Sequence, residues 1–200
     1  ERKIVFSGDV GNTDQPIIND PSSVDDTDYL VMESTYGSRN HERHTDTIDV
    51  LASYIERTLE RGGNVIIPSF AVGRTQELLY AIREIKQQKI VKDASFPVYI
   101  DSPLAIEATK IFENCDIVNF DAETRMLIEK GVDPLYFENL HLAVTVDESK
   151  LINETPESKV IISASGMCEA GRIRHHLKHN LWRPQNLILF VGYQAEGSLG

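Results

Sequence analysis

Cysteine is almost absent. Cys115 and Cys168 are the only two, and neither sits in a Cys-x-x-Cys pair. Two such thiols make neither a disulfide framework nor a cysteine zinc knuckle. We expect both to be reduced, in a cytoplasmic protein. Long apolar runs are missing too, with nothing near the roughly 20 residues that a membrane helix needs. Glu1-Arg2-Lys3 leads straight into a strand-like run, so no secretory leader is expected. The absent starting Met and the stop at Ser198-Leu199-Gly200 make both ends read as cut points in a longer chain. There is no Gly-x-Gly-x-x-Gly and no P-loop, which argues against a free-standing Rossmann-like nucleotide binder. Positive charge is scarce: 20 Lys and Arg face 31 Asp and Glu, for a net charge of −11. This weighs against nucleic-acid binding by charge over the whole surface, since phosphate contacts need Lys and Arg. An acidic enzyme can still group its bases along one groove.

What is present fits an α/β domain. The 200 residues, 41% hydrophobic, suit one domain or one domain with a short neighbouring piece. Ile4–Phe6, Tyr29–Met32, Val65–Ile67, Val98–Ile100, Leu142–Val146, Val160–Ile162 and Leu187–Val191 read as strands. Most are continuous apolar runs, the pattern of strands covered on both faces. Between them come helical stripes: Ile48, Leu51, Ile55 and Leu59 up to Gly62-Gly63, then Leu78, Leu79, Ile82 and Ile85. Ser102-Pro103 opens a third helix with a cap and a first-turn proline. Asp121 to Lys130, closed by Gly131, is a fourth, and Gly171 to His179 the last. Val10 to Asp28 reads as a loop. Strand–helix alternation of this kind predicts a three-layer αβα fold on a mainly parallel sheet.

Ligands of open α/β sheets bind beyond the carboxyl ends of the strands, and the polar residues gather there. Asp9 follows the first strand between Gly8 and Gly11, where a carboxylate can bind a metal or simply bond its own turn. Glu33 ends the second strand. It can serve proton transfer or orient a histidine, or it can pair with an arginine or cap the turn at Ser34-Thr35. Arg74 stands where a strand meets a helix and can face RNA or pair with Glu77. Ser163-Ala164-Ser165-Gly166 can offer hydroxyls and backbone N–H groups to a phosphate, or be an ordinary strand-to-helix turn. Arg172, Arg174, His175, His176, Lys178, His179 and Arg183 form the one basic cluster, read either as an RNA-backbone surface or as a solvated helix face. His175 and His179 have helical metal-ligand spacing but no acidic partner, a weak signal. His41 and His44 read as solvated. Tyr36 suits stacking on a base or anchoring a turn.

Phe6-Ser7-Gly8-Asp9 followed by Val31-Met32-Glu33-Ser34-Thr35-Tyr36-Gly37 resembles the β-CASP branch of the metallo-β-lactamase superfamily. So do Pro68 to Glu77, Asp101-Ser102-Pro103-Leu104-Ala105, Ser165-Gly166-Met167 through Gly171-Arg172 to His175-His176, and Gly192 to Gly200. The matches run in order over almost the whole chain. The resemblance implies a hydrolase that cleaves RNA phosphodiester bonds, endo or exo, with two zinc ions in the full-length enzyme. It implies that Asp9 bridges the metals, and that Glu33 supports a histidine acting as general acid. With it, the Ser163–Gly166 loop is expected to touch an RNA phosphate, beside Arg172. The His-x-His-x-Asp-His cluster of that family is not in this sequence. We therefore expect residues 1–35 to be the end of the metallo-β-lactamase portion and 36–200 the β-CASP domain. The chain alone is expected to hold no zinc and to be inactive. The implied partners are single-stranded RNA, the rest of its own metallo-β-lactamase domain, and in one arrangement a second copy. The other reading is a non-catalytic RNA-binding or scaffolding homologue.

Overall fold

A computed structural model describes residues 1–35, 37–38 and 47–200. The expectations for Tyr36, His41 and His44 lie outside the described residues. The first half of the chain carries β1 (Ile4–Phe6), β2 (Tyr29–Val31), α1 (Thr47–Glu60), β3 (Val65–Pro68), α2 (Arg74–Gln87) and β4 (Val98–Ile100). Then follow α3 (Pro103–Glu113), α4 (Ala122–Glu129), β5 (Leu140–Leu142), α5 (Val146–Glu154), β6 (Val160–Ser163), α6 (Ile173–Asn180) and β7 (Leu187–Ile188). They fall into two compact units, Glu1–Thr45 with Asp116–Val132, and Asp46–Cys115 with Asp133–Gly200.

The larger unit is a five-stranded sheet in the order β5-β4-β6-β3-β7, every pair parallel. Right-handed crossovers then fix the layers. The path from β3 through β4 to β5 moves one way along the sheet, and the path from β5 through β6 to β7 moves back. Helices α2 and α3 therefore cover one face, and α5 and α6 the other. This is the three-layer α/β fold expected. β3 and β6 are buried at all four positions, as their continuous Val-Ile-Ile runs require. On the α5–α6 face, Ile66 and Ile161 pack with Ile152, Cys168 and Ile173. Each fully buried aliphatic side chain contributes about 1.5–3 kcal/mol.

Local chemistry sets the helix ends. Ser102 caps α3 by accepting from the Ala105 N–H at 3.2 Å, with Pro103 in the first turn. Asp121 caps α4 from the Thr124 N–H, and Gly131, at φ 73°, ends it. One expectation is corrected. Leu142–Val146 is not a strand: β5 lies two residues earlier, and Thr145 starts α5. The Thr145 hydroxyl accepts from the Glu148 N–H at 3.2 Å, and the Glu148 carboxylate accepts from the Thr145 N–H at 2.7 Å. That reciprocal capping box overrides the β-propensity of Val144 and Val146. Similarly, β7 stops at Ile188 rather than Val191.

The smaller unit holds β1 and β2 as a parallel pair, with Ile4 opposite Tyr29. Their runs are continuous and apolar, yet Phe6 is 72% and Leu30 57% exposed. The expectation of cover on both faces does not hold here, because two short strands alone bury neither face. No helix among the described residues is long and apolar enough to cross a membrane.

Candidate functional site

The strand order creates one switch point in the larger sheet. The connection leaving β4 turns one way and that leaving β6 the other, which makes the carboxyl ends of these neighbours the place where open α/β sheets form a binding crevice. Asp101 follows β4 and Ser163 ends β6. The Ser163 hydroxyl donates to the Asp101 carbonyl at 2.7 Å, tying the two strand ends together.

Asp101 is wholly buried. One oxygen accepts from the Arg172 guanidinium at 2.7 Å. The other accepts from the Ser149 hydroxyl at 2.5 Å and faces His176 Nε2 at 2.7 Å. Burial alone pushes this carboxyl up. The bonds from His176, Ser149 and Arg172 outweigh that and hold it below the ordinary carboxylate range. Arg172 also donates to the carbonyls of Ala143 and Val144, the chain leaving β5. Four segments thus meet around Asp101 and Arg172: the ends of β4 and β5, helix α5 through Ser149, and helix α6 through Arg172 and His176. Arg172 and His176 are four apart, so one helical face presents both.

A chain of amides continues inward. His176 Nδ1 lies 3.1 Å from Asn153 Oδ1, which also accepts from Asn180 Nδ2. Asn180 Oδ1 accepts from Asn64 and Asn186. Backbone groups fix the direction: the Lys159 N–H donates to Asn64 Oδ1, and the Asn64 N–H to Asn186 Oδ1. Each ring nitrogen of His176 therefore faces a side-chain oxygen.

The loop between β6 and α6 is held from within. The Ser165 N–H donates to the Ala170 carbonyl, and the Ala170 N–H to the Ser165 hydroxyl. A Cβ on Gly166 would lie 3.0 Å from the Phe70 ring, and Gln194 donates to the Gly166 carbonyl at 2.9 Å. Gly171 has φ +77°, and a Cβ there would lie 2.3 Å from the Ala164 carbonyl oxygen. Gly171 therefore requires glycine, whereas a side chain at Gly166 would need the Phe70 ring to give by a few tenths of an ångström.

The other expected residues stand as follows. Arg74, opening α2, pairs with Glu77 at 2.5 Å on a half-exposed surface. In the smaller unit, Asp9 is exposed beyond β1. Glu33, beyond β2, donates its backbone N–H to the Ser7 hydroxyl at 3.0 Å, which joins the two strand ends. Its carboxylate accepts from the Thr35 N–H at 2.8 Å, which draws it below the ordinary range. Cys115 and Cys168 are both free thiols. Among the described residues, no group of three or more His, Cys, Asp or Glu could hold a metal ion. Asp101, Ser149 and the asparagines were not among the residues proposed from sequence. The legible signals were an Asp at a strand end and the Arg172/His176 spacing.

Residues 75–200 match the Beta-Casp domain family. The whole chain is 36% identical over 199 residues to Ribonuclease TTHA0252 of Thermus thermophilus, covering 45% of that protein. It is 34% identical over 203 residues to an RNase J-like protein of Methanocaldococcus jannaschii, again covering 45% of it. Transcription termination factor FttA of Methanosarcina mazei is 30% identical over 98% of this chain, which spans 31% of that protein. The chain thus spans less than half the length of these relatives. Together with the parallel α/β sheet, these matches show that the chain belongs to the β-CASP family.

Proposed function

We propose that this chain is the β-CASP portion of a zinc-dependent hydrolase that cleaves RNA phosphodiester bonds, and that it is inactive alone. The observation that carries the reading is the pinned crevice between β4 and β6, in a chain matched over its whole length by proteins named for ribonuclease activity. The Ser163–Gly166 loop and Arg172 border that crevice. Ser163 is committed to Asp101, so its part is to hold the loop. The half-buried Ser165 and the one-fifth-exposed guanidinium of Arg172 are the groups left to meet a phosphate.

Asp9 offers one carboxylate, where a zinc site takes three or four protein ligands. The described residues do not make such a site, so the other ligands must come from elsewhere in the longer protein. Zinc, when bound, supplies an activated hydroxide. Glu33 would steer a proton-donating histidine. The bare apolar strands β1 and β2 suit the edge of a larger sheet belonging to that portion. In this proposal RNA is the substrate and the cytoplasm the compartment.

The test is Asp9→Ala in the longer protein. Cleavage of single-stranded RNA should disappear while circular dichroism stays native. Near-normal cleavage would overturn the metal-bridging role of Asp9.

A further inference from the structure

The basic cluster divides into two sets that face opposite ways. Arg172 and His176 turn inward to Asp101. Arg174, His175, Lys178 and His179 point outward from α6 and are exposed. Among the described residues, neither Arg174 nor Lys178 has an ion-pair partner. Past the end of α6, Leu181 and Trp182 are 68% and 71% exposed. The Arg183 guanidinium lies 5.1 Å from the Trp182 ring centroid.

An ordinary solvated face does not explain this combination. From Ala170 to Ala195 there is no Asp or Glu, in a chain that carries 31. The only tryptophan in these 200 residues stands there almost bare, although exposing an indole forfeits hydrophobic stabilisation. Arg174 and Lys178 are one helical step of four apart, about 6 Å along the axis. Trp182 follows at the next step of four. Cations spaced along a stripe and ending in an aromatic ring match the needs of single strands, which are bound by backbone charge and base stacking.

We propose that the outer face of α6, with Trp182, is a second binding surface for single-stranded RNA, separate from the crevice at Asp101. It rests on the reading of RNA as substrate. Helix α6 starts at the carboxyl edge of the sheet and ends at the amino edge. The stripe therefore leads a strand away from the crevice, over a distance of about 12 Å. Arg174 and Lys178 contact phosphates, and Trp182 stacks on a base.

Trp182 reports on its own site, being the only indole. A short oligouridylate added to the 200-residue chain should quench its emission, and inorganic polyphosphate, which has no bases, should not. Arg174→Ser with Lys178→Ser should lower the slope of log affinity against log salt by about 1.4, at about 0.7 per phosphate contact. Trp182→Ala, followed by anisotropy of labelled RNA, should weaken binding roughly tenfold. These are surface changes, and native circular dichroism would confirm the fold. No RNA binding, binding with unchanged emission and salt slope, or quenching by anionic phospholipid vesicles instead of RNA would each overturn the proposal. Cleavage assays on the longer protein separate the two readings. Quenching without any cleavage keeps this surface and rejects the nuclease. Cleavage with an unaltered KM in the Arg174/Lys178 variant, and no quenching, does the reverse.

Discussion

Asp101 and His176, 75 positions apart in sequence, meet at 2.7 Å with neither side chain reaching solvent. A parallel α/β sheet brings such distant residues together because the end of one strand and the helix after its neighbour share a crevice. The pair also anchors the start of α6, and with it the loop before that helix.

Removing the carboxylate should cost stability. Asp101→Ala leaves Arg172 and His176 without their shared acceptor. Breaking a buried ion pair costs about 3–5 kcal/mol, and the low end applies because Arg172 is partly exposed. Urea unfolding should show a loss of about 3 kcal/mol. The acid limb follows from the sign of the shift. The folded carboxyl titrates below its unfolded value, so its contribution is complete above about pH 4 and fades as pH falls through the folded value. Asp101→Asn should remove that part of the acid sensitivity. An unchanged acid limb would show that the pair does not set it.

Lys86 gives the opposite pH signature. Its ammonium donates to the carbonyls of Ala94 and Phe96 and lies over the Phe96 ring. Burial draws it down to about 8 from 10.5, against the pull of Asp93 and Glu138. Between those values the unfolded chain binds more protons than the folded one, so stability rises with pH through the window. Urea midpoints at about pH 7 and about pH 9.5 should show a smaller rise in Lys86→Met than in the natural protein.

Metal content is a direct test of the zinc proposal. The isolated chain, purified without chelator, should contain no stoichiometric zinc by elemental analysis, since Asp9 supplies one ligand where about four are needed. One or two tightly held ions per chain would mean that ligands within this sequence have been misjudged.

Gly171→Ala should act on the loop rather than on the core. The left-handed backbone costs about 1–2 kcal/mol for an L side chain, and the contact with the Ala164 carbonyl adds to it. We expect a loss of at least about 2 kcal/mol. Hydrogen exchange should be faster at Ile173, whose N–H bonds to that carbonyl. Wild-type exchange there would show that the turn relaxes freely.

Much of the architecture was legible because each buried strand is a continuous apolar run and most helices carry a cap or a glycine stop. The strand expected at Leu142–Val146 was misread because two valines outweighed the Thr145-x-x-Glu148 box. That box is a four-residue signal whose force lies in two backbone hydrogen bonds. The exposure of β1 and β2 could not be read, since an apolar run records what a strand can bury and not what lies over it. At the site, the serine loop and Arg172 stood out by residue type. The cluster around Asp101 did not, because His176 and Ser149 acquire meaning only through the strand order. Arg172 and Arg174 look equivalent in sequence, yet two positions of helical rotation send one inward and the other to solvent.

The strand order also dictates when the sheet can close. β3 pairs only with β6 and β7, and both are made after β4 and β5. On the ribosome, the Val65–Pro68 segment therefore emerges with neither partner in existence. β4 can pair with β5 early, but the place between β4 and β3 stays empty until Val160 follows. Closure is late and of high contact order, and a nascent chain stopped short of Val160 leaves both edges of β3 and one edge of β4 unpaired, which invites aggregation.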